Sequence, residues 1–135
     1  MKNTIDIVGL LKPLFDSCEV AMKPASESSL SLFRARCNEH NVPNDVVRQL
    51  SDFYAIADGV PCLNSLDIHR CADSILFEWW DQQELWLGQQ DFYILRWSSA
   101  NGRFCIGDAG NVSFSSSDEY RTFADALSQM VKQMH

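Results

Sequence analysis

The chain has 135 residues, 46% hydrophobic and 21% charged, with 11 Lys and Arg against 18 Asp and Glu for a net charge of −7. That length fits one globular domain, spanning 1–135, with a core that needs no disulfide or metal staple. The acidic balance argues against a nucleic-acid binder or a polybasic membrane anchor, both of which need clustered Lys and Arg, and it suits solubility or a basic protein partner.

In the first stretch Ile5, Val8, Leu11, Phe15 and Cys18 recur at spacings of three and four. They predict an amphipathic helix with Thr4 as its N-cap. Pro13 falls inside it and should kink or split it. Only Lys2 is basic ahead of this stretch, and Asp6, Lys12 and Pro13 interrupt it, so no signal peptide is expected. No run reaches the length that crosses a bilayer, and the chain reads as cytoplasmic. Lys23-Pro24-Ala25-Ser26 is a break. A second helix should start near Ser28, turn Leu30, Phe33 and Cys37 inward, and end by Asn41, because Pro43 disfavours helix in the residue before it. Asn44 reads as the N-cap of a third helix with Val46, Val47, Leu50, Phe53, Tyr54 and Ala57 as its buried stripe. Asp58-Gly59 should close that helix, with Gly59 in the left-handed position beyond its end.

From Val60 to Leu66 the chain reads as a loop containing Pro61 and Asn64. Leu66, Ile68 and Arg70 alternate with polar neighbours, which predicts a short strand. Ser74 to Trp80 fits strand or helix equally, and Leu85-Trp86-Leu87 is a short apolar run stopped by Gly88. The clearest strand follows, where Tyr93, Leu95 and Trp97 alternate with Phe92, Ile94 and Arg96. Asn101-Gly102 is a tight-turn dipeptide, and Phe104 and Ile106 return from it. Gly107 to Asn111 is a second turn, after which Val112 and Phe114 start another strand; together these form an antiparallel meander. Thr122 and Asp125 have capping-box spacing ahead of a last helix carrying Phe123, Leu127, Met130, Val131 and Met134. Helices, then strands, then a helix make an α+β domain in which the last helix packs on one sheet face.

The stretch from Val42 to Leu127 resembles the SUKH superfamily, which includes fungal Smi/Knr-type regulators of cell-wall synthesis and bacterial immunity proteins. Three pieces carry the likeness. They are the proline-started helix Pro43-Asn44-Asp45-Val46 to Tyr54 running into Ala57-Asp58-Gly59-Val60, Trp97 followed by Phe104-Cys105-Ile106-Gly107-Asp108 and its Gly-Asn turn, and the closing Thr122-Phe123-Ala124-Asp125-Ala126-Leu127. The resemblance implies a helix-backed antiparallel sheet and a protein-binding role. In bacterial members that role is to neutralise a toxin, often a nuclease. It transfers no catalytic residue and no cofactor. A regulatory scaffold of the Smi/Knr type is the alternative, a small enzyme of unrecognised class ranks behind it, and the oligomeric state stays open between monomer and weak dimer.

Other chemistry is poorly served. The five cysteines, Cys18, Cys37, Cys62, Cys71 and Cys105, form no CxxC and are odd in number, which suits reduced, buried thiols. Cys62, His69 and Cys71 lack the spacing and the fourth ligand of a zinc site. His40 ends a helix, His135 ends the chain, and no nucleophile elbow occurs, so a Cys–His or serine hydrolase is not expected. Glu78 with Glu84, or Asp81 with Asp91, could imitate a glycosidase pair, but an acidic chain holds many accidental pairs. Gly107, Gly110 and Asn111 precede no Lys-Ser/Thr, so there is no phosphate loop. Asn111-Val112-Ser113 matches a glycosylation sequon that a cytosolic protein would not use.

The most uneven stretch lies between Arg70 and Arg96, where no Lys or Arg occurs and three of the four tryptophans fall. Glu78, Trp79, Trp80, Asp81, Glu84, Trp86 and Asp91 are the candidate partner-binding residues. Adjacent tryptophans on a strand cannot both point into one core, so one should face outward, ringed by carboxylates that steer a basic partner such as a nuclease. The competing reading buries both tryptophans at a helix–sheet junction and leaves the acids as solvated charge.

Overall fold

The computed structural model describes residues 6–108 and 118–132. Helix α1 (Ile7–Ser17) runs unbroken through Pro13. Pro13 and Gly9 both lie on the exposed side, so the Gly9 carbonyl that Pro13 deprives of a donor is turned toward water. Leu11, Leu14 and Phe15 carry the inner face, whereas Val8, expected there, is 40% exposed. The cap position belongs to Asp6, whose side chain makes no capping bond; Thr4 lies outside the described residues.

Helix α2 (Glu27–Glu39) starts where Ser26 accepts a hydrogen bond from the Ser29 amide at 3.1 Å, and it buries Phe33 and Cys37. Helix α3 (Asn44–Tyr54) has Pro43, not Asn44, at its cap position, and the Pro43 carbonyl accepts from the Val47 amide. Its buried residues are Val46, Leu50, Ser51, Phe53 and Tyr54. Gly59 is not this helix's terminator, because the helix ends five residues earlier, at Tyr54. Gly59 sits at φ +86°, and a Cβ there would lie 2.5 Å from the Ile68 carbonyl oxygen. Its role is close approach of two backbones.

Among the described residues six strands follow in meander order, each antiparallel to the next: β1 (Val60–Leu63), β2 (Leu66–Ile68), β3 (Glu84–Gln90), β4 (Tyr93–Ser98), β5 (Arg103–Asp108) and β6 (Asp118–Tyr120). The Val60–Leu66 stretch is therefore a hairpin, not a loop. Leu63 pairs with Leu66, and Asn64 and Ser65 between them take φ of 48° and 72°, the left-handed pair that matches the twist of a two-residue hairpin. Pro61 is tolerated because β1 is an edge strand. Nor does Gly88 stop β3, which continues to Gln90 through an irregular register between Trp86 and Gly88. The Asn101-Gly102 turn closes β4 onto β5, with the Gly102 amide donating to Ser98. The turn and strand expected over 109–115, the sequon, Met134 and His135 lie outside the described residues.

Helix α4 (Phe123–Lys132) is capped by Thr122, whose Oγ1 accepts from the Asp125 amide at 3.1 Å. Its face of Phe123, Ala126, Leu127 and Met130 joins the inner faces of the other helices and of Leu85, Leu87, Leu95, Trp97, Phe104 and Ile106 in one core cluster. Edge-on aromatic contacts stitch the layers: Phe33 with Tyr54, and Phe104 with Phe123. Burying each such Leu or Phe contributes about 1.5–3 kcal/mol. Among the described residues the helices thus share one core with a single sheet face, and the other face holds the site. Among the described residues no helix is long and apolar enough to cross a membrane.

Candidate functional site

The site is built on the register of β3. Trp86 pairs with Arg96 and Gly88 with Leu95, so Leu87 is an extra residue in the ladder. Before this bulge Leu85 and Leu87 face the core while Glu84 and Trp86 face away. After it the phase reverses, and Gln89 also faces away while Gln90 is buried. Trp86 and Gln89, three apart in sequence, therefore share the face opposite the helices. That face is not bare: Arg96, Ser98 and Cys105 on it are all buried.

Two short 3-10 turns, Ser74–Phe77 and Trp80–Gln82, lead into β3. Asp73 caps the first by accepting from the Ile75 amide. Gln83, at φ 62°, ends the second and redirects the chain into the strand. Across the junction the adjacent tryptophans part. Trp80 packs against the core cluster, with its ring 6.4 Å from Trp97 and 5.7 Å from His40. Trp79 is outside that cluster and lies flat on Trp86, ring centroids 4.3 Å apart and planes 4° from parallel. Both members of this pair are partly exposed, and Glu78 and Asp81 beside them are exposed. Trp80 packs against the core and Trp79 does not, although both rings are partly exposed.

Glu84 is less available than expected. It is ion-paired to Arg96, with side chains 15% and 4% exposed respectively. Burial raises the Glu84 carboxyl above its ordinary range, and the Arg96 guanidinium pulls it back down. Asp91 is separated from the rest: it sits in the β3–β4 hairpin turn, and six strand steps of about 3.3 Å put it roughly 20 Å from Glu84. Beside it Phe92 is 76% and Tyr93 44% exposed, an aromatic tip that strand alternation concealed. The structure thus brings together Glu78, Trp79, Asp81, Glu84 and Trp86, and sends Trp80 inward and Asp91 to the far end.

His69, weighed above as a metal ligand, belongs to this face. It is buried, and its ring meets Trp86 edge-on at 5.1 Å. Cys71, by contrast, lies in the core. Burial lowers the His69 pKa, and Asp67 and Asp73 oppose that shift. Three buried polar atoms gather here without a hydrogen-bond partner: His69 Nε2, Trp86 Nε1 and Gln89 Oε1. Gln89 spends its amide on Asp67, Nε2 to Oδ2 at 2.8 Å. Its oxygen lies near enough to favour the charged imidazole yet outside hydrogen-bond geometry.

Elsewhere the chemistry is sparse. Burial pushes the Cys37 and Cys71 thiols up to about 12, which leaves them without thiolate at neutral pH. His40 stacks on Phe77 at 4.8 Å instead of serving a cysteine. Among the described residues no group of three or more His, Cys, Asp and Glu could hold a metal ion. An open cleft of about 590 Å³ runs beside β2, with Lys23, Asp58, His69, Arg70 and Asp73 in its wall. Of its carboxylates, Asp58 is already engaged by the Arg70 side chain and the Cys71 amide, and Asp67 by the Gln89 amide. No protein-family model and no curated protein matches the chain.

Proposed function

We propose that this chain is a protein-binding domain whose contact surface centres on the Trp79–Trp86 stack and its acidic rim, and that it serves as an immunity protein against a basic toxin. The observation that carries this reading is the stack itself. Two tryptophans lie outside the core and partly exposed, Trp86 on the sheet face opposite the core cluster and Trp79 stacked on it. A folded chain gains nothing from leaving such area in water, whereas an interface gains most from Trp. Glu78 and Asp81 supply the field that draws in a cationic partner and sets its orientation. Phe92, at the far hairpin tip, offers a second anchor, with the strand running roughly 13 Å from Trp86 to its end at Gln90. The likeness to SUKH proteins supports the toxin-neutralising form of the proposal.

The test is co-expression with the product of the adjacent upstream gene, followed by co-purification at low and high salt and a growth-rescue assay. A complex that restores growth, weakens with salt and is lost on Trp79→Ala supports the proposal. Rescue that survives Trp79→Ala together with Glu78→Gln and Asp81→Asn places the interface elsewhere. No complex and no rescue removes the immunity reading and leaves the scaffold alternative.

A further inference from the structure

The buried histidine beneath the tryptophan stack has no part in the binding surface as described, yet its setting is that of a switch. The His69 backbone is pinned on both sides: its amide donates to the Leu87 carbonyl at 2.9 Å, and its carbonyl accepts from the Tyr54 hydroxyl at 2.8 Å. Only the ring can move. The residue is 8% exposed, its ring touches Trp86 edge-on, and Nε2 makes no hydrogen bond.

We propose that His69 is a proton-operated latch for the Trp79–Trp86 stack: on taking up a proton its ring turns toward Asp67, leaves Trp86, and lets the stack come apart. The groups facing the ring set the direction of this motion. From its own strand comes Asp67, and from the loop after it Asp73; both favour the charged imidazole. From β3 come Gln89, whose amide now occupies Asp67 Oδ2, and the uncharged Trp86. The cleft wall that includes His69 also carries Lys23 and the Asp58–Arg70 ion pair, whose charges are already matched or oppose a cation. A neutral ring can stay where it is, since its cost is one unmade hydrogen bond. A charged ring cannot remain buried with Nε2–H unsatisfied, because a buried unpaired charge costs far more than a buried unpaired dipole. The acceptors on hand are the Gln89 oxygen, which already favours the charged ring, and the Asp67 carboxylate that the Gln89 amide holds, and the ring must turn to reach them. Trp86 then loses its edge contact and Trp79 its support.

The latch is a property of the free chain. Its consequence, release of a partner on acidification, rests on the function proposed above. The experiment therefore needs no partner. Indole Nε1–H signals of the full-length 15N-labelled protein are followed from pH 7.5 to 5, with far-UV circular dichroism in parallel. Two indole signals should shift together, with a midpoint below the ordinary histidine value of 6.5, while the backbone spectrum holds. In His69→Gln those shifts should vanish. In Asp67→Asn the midpoint should fall further, because the group that attracts the charged ring is gone. The latch is overturned if the shifts persist in His69→Gln, if they appear only together with loss of the backbone spectrum, or if Asp67→Asn leaves the midpoint in place. Should His69→Gln fail to fold, Asp67→Asn decides alone.

Discussion

Gly88→Ala tests the register on which the site depends. A Cβ at Gly88 would meet the Asp67 carbonyl oxygen at 2.2 Å and the Ile68 Cα at 2.9 Å. Both are backbone atoms of the neighbouring strand, so no side chain can swing aside and β2 itself must move. Overpacking of a tight interior costs about 1–3 kcal/mol and sometimes more, and a backbone obstacle belongs at the upper end. A loss of about 3 kcal/mol in a chain of 135 residues lowers Tm by roughly 10 °C. Because Asp67 shares the Trp86–Gln89 face and pairs with Gln89, tryptophan emission should also change below the melting transition. Gly9→Ala is the control. There the new Cβ meets only the tip of the Asp6 side chain, at 2.8 Å on the exposed side of α1. Replacing a helical glycine should add about 0.5–1 kcal/mol. Thermal melts of both variants by circular dichroism decide the matter. If Gly88→Ala melts within about 2 °C of the parent, β3 does not approach β2 as described, and the bulge argument fails with it.

Trp79→Ala and Trp80→Ala should behave in opposite ways despite adjacent positions: loss of the stack costs about 0.5–1.5 kcal/mol, loss of the core-packed ring about 3 kcal/mol, and only the first should cut partner affinity, by about 2 kcal/mol or roughly 30-fold. Thermal melts and a binding titration on both variants separate the two. Tyr54→Phe removes the buried hydroxyl that donates to the His69 carbonyl at 2.8 Å. It should cost about 1–3 kcal/mol in urea unfolding, since the carbonyl is left without that donor. The His69 pKa is lowered in the folded chain, so the unfolded chain takes up that proton first. The stability that His69 contributes is then present above pH 6.5 and drains away as pH falls toward the folded value. Urea midpoints at pH 7.5 and 5.5 should differ less for His69→Gln than for the parent, and an equal difference would show that His69 does not titrate across folding.

Much of the fold was legible because its periodicities are regular. Phe33 and Cys37 mark α2, Leu50 to Tyr54 mark α3, Leu95 and Trp97 mark β4, and the Thr122–Asp125 cap with Phe123, Leu127 and Met130 marks α4. What escaped sequence reading did so where a local backbone feature overrides period. The β1–β2 hairpin was hidden because its turn is Asn64-Ser65, not Asn-Gly, and because Pro61 and the left-handed Cys62 break the alternation of β1. In β3 the bulge shifts the phase, so Gly88 imitates a stop and Gln89 gives no sign of sharing a face with Trp86. Phe92 looked like one more strand residue until the Gln90–Tyr93 pairing made it a hairpin tip. At the site, the run from Glu78 to Trp86 was visible as composition, but the inward turn of Trp80 and the separation of Asp91 were not.

The opposed tryptophans explain how one segment can be both core and surface. In a 3-10 turn three residues complete the circle, so neighbours diverge by roughly 120°. Trp79 stands at the cap of the second turn and Trp80 is its first residue, so the two rings leave the chain in different directions. Trp80 anchors the segment against Trp97, Phe77 and His40, and that anchor fixes where Trp79 lies. Trp86 then receives Trp79 from a strand whose own position is set by the bulge. The ordering of the aromatic pair is thus complete before any partner arrives, and a partner would not bear that entropic cost on binding. The same arrangement makes the pair sensitive to what lies beneath it, because the ring that meets Trp86 from the side is the buried His69. A surface held by packing from below can be altered from below, without a change in any residue that a partner touches.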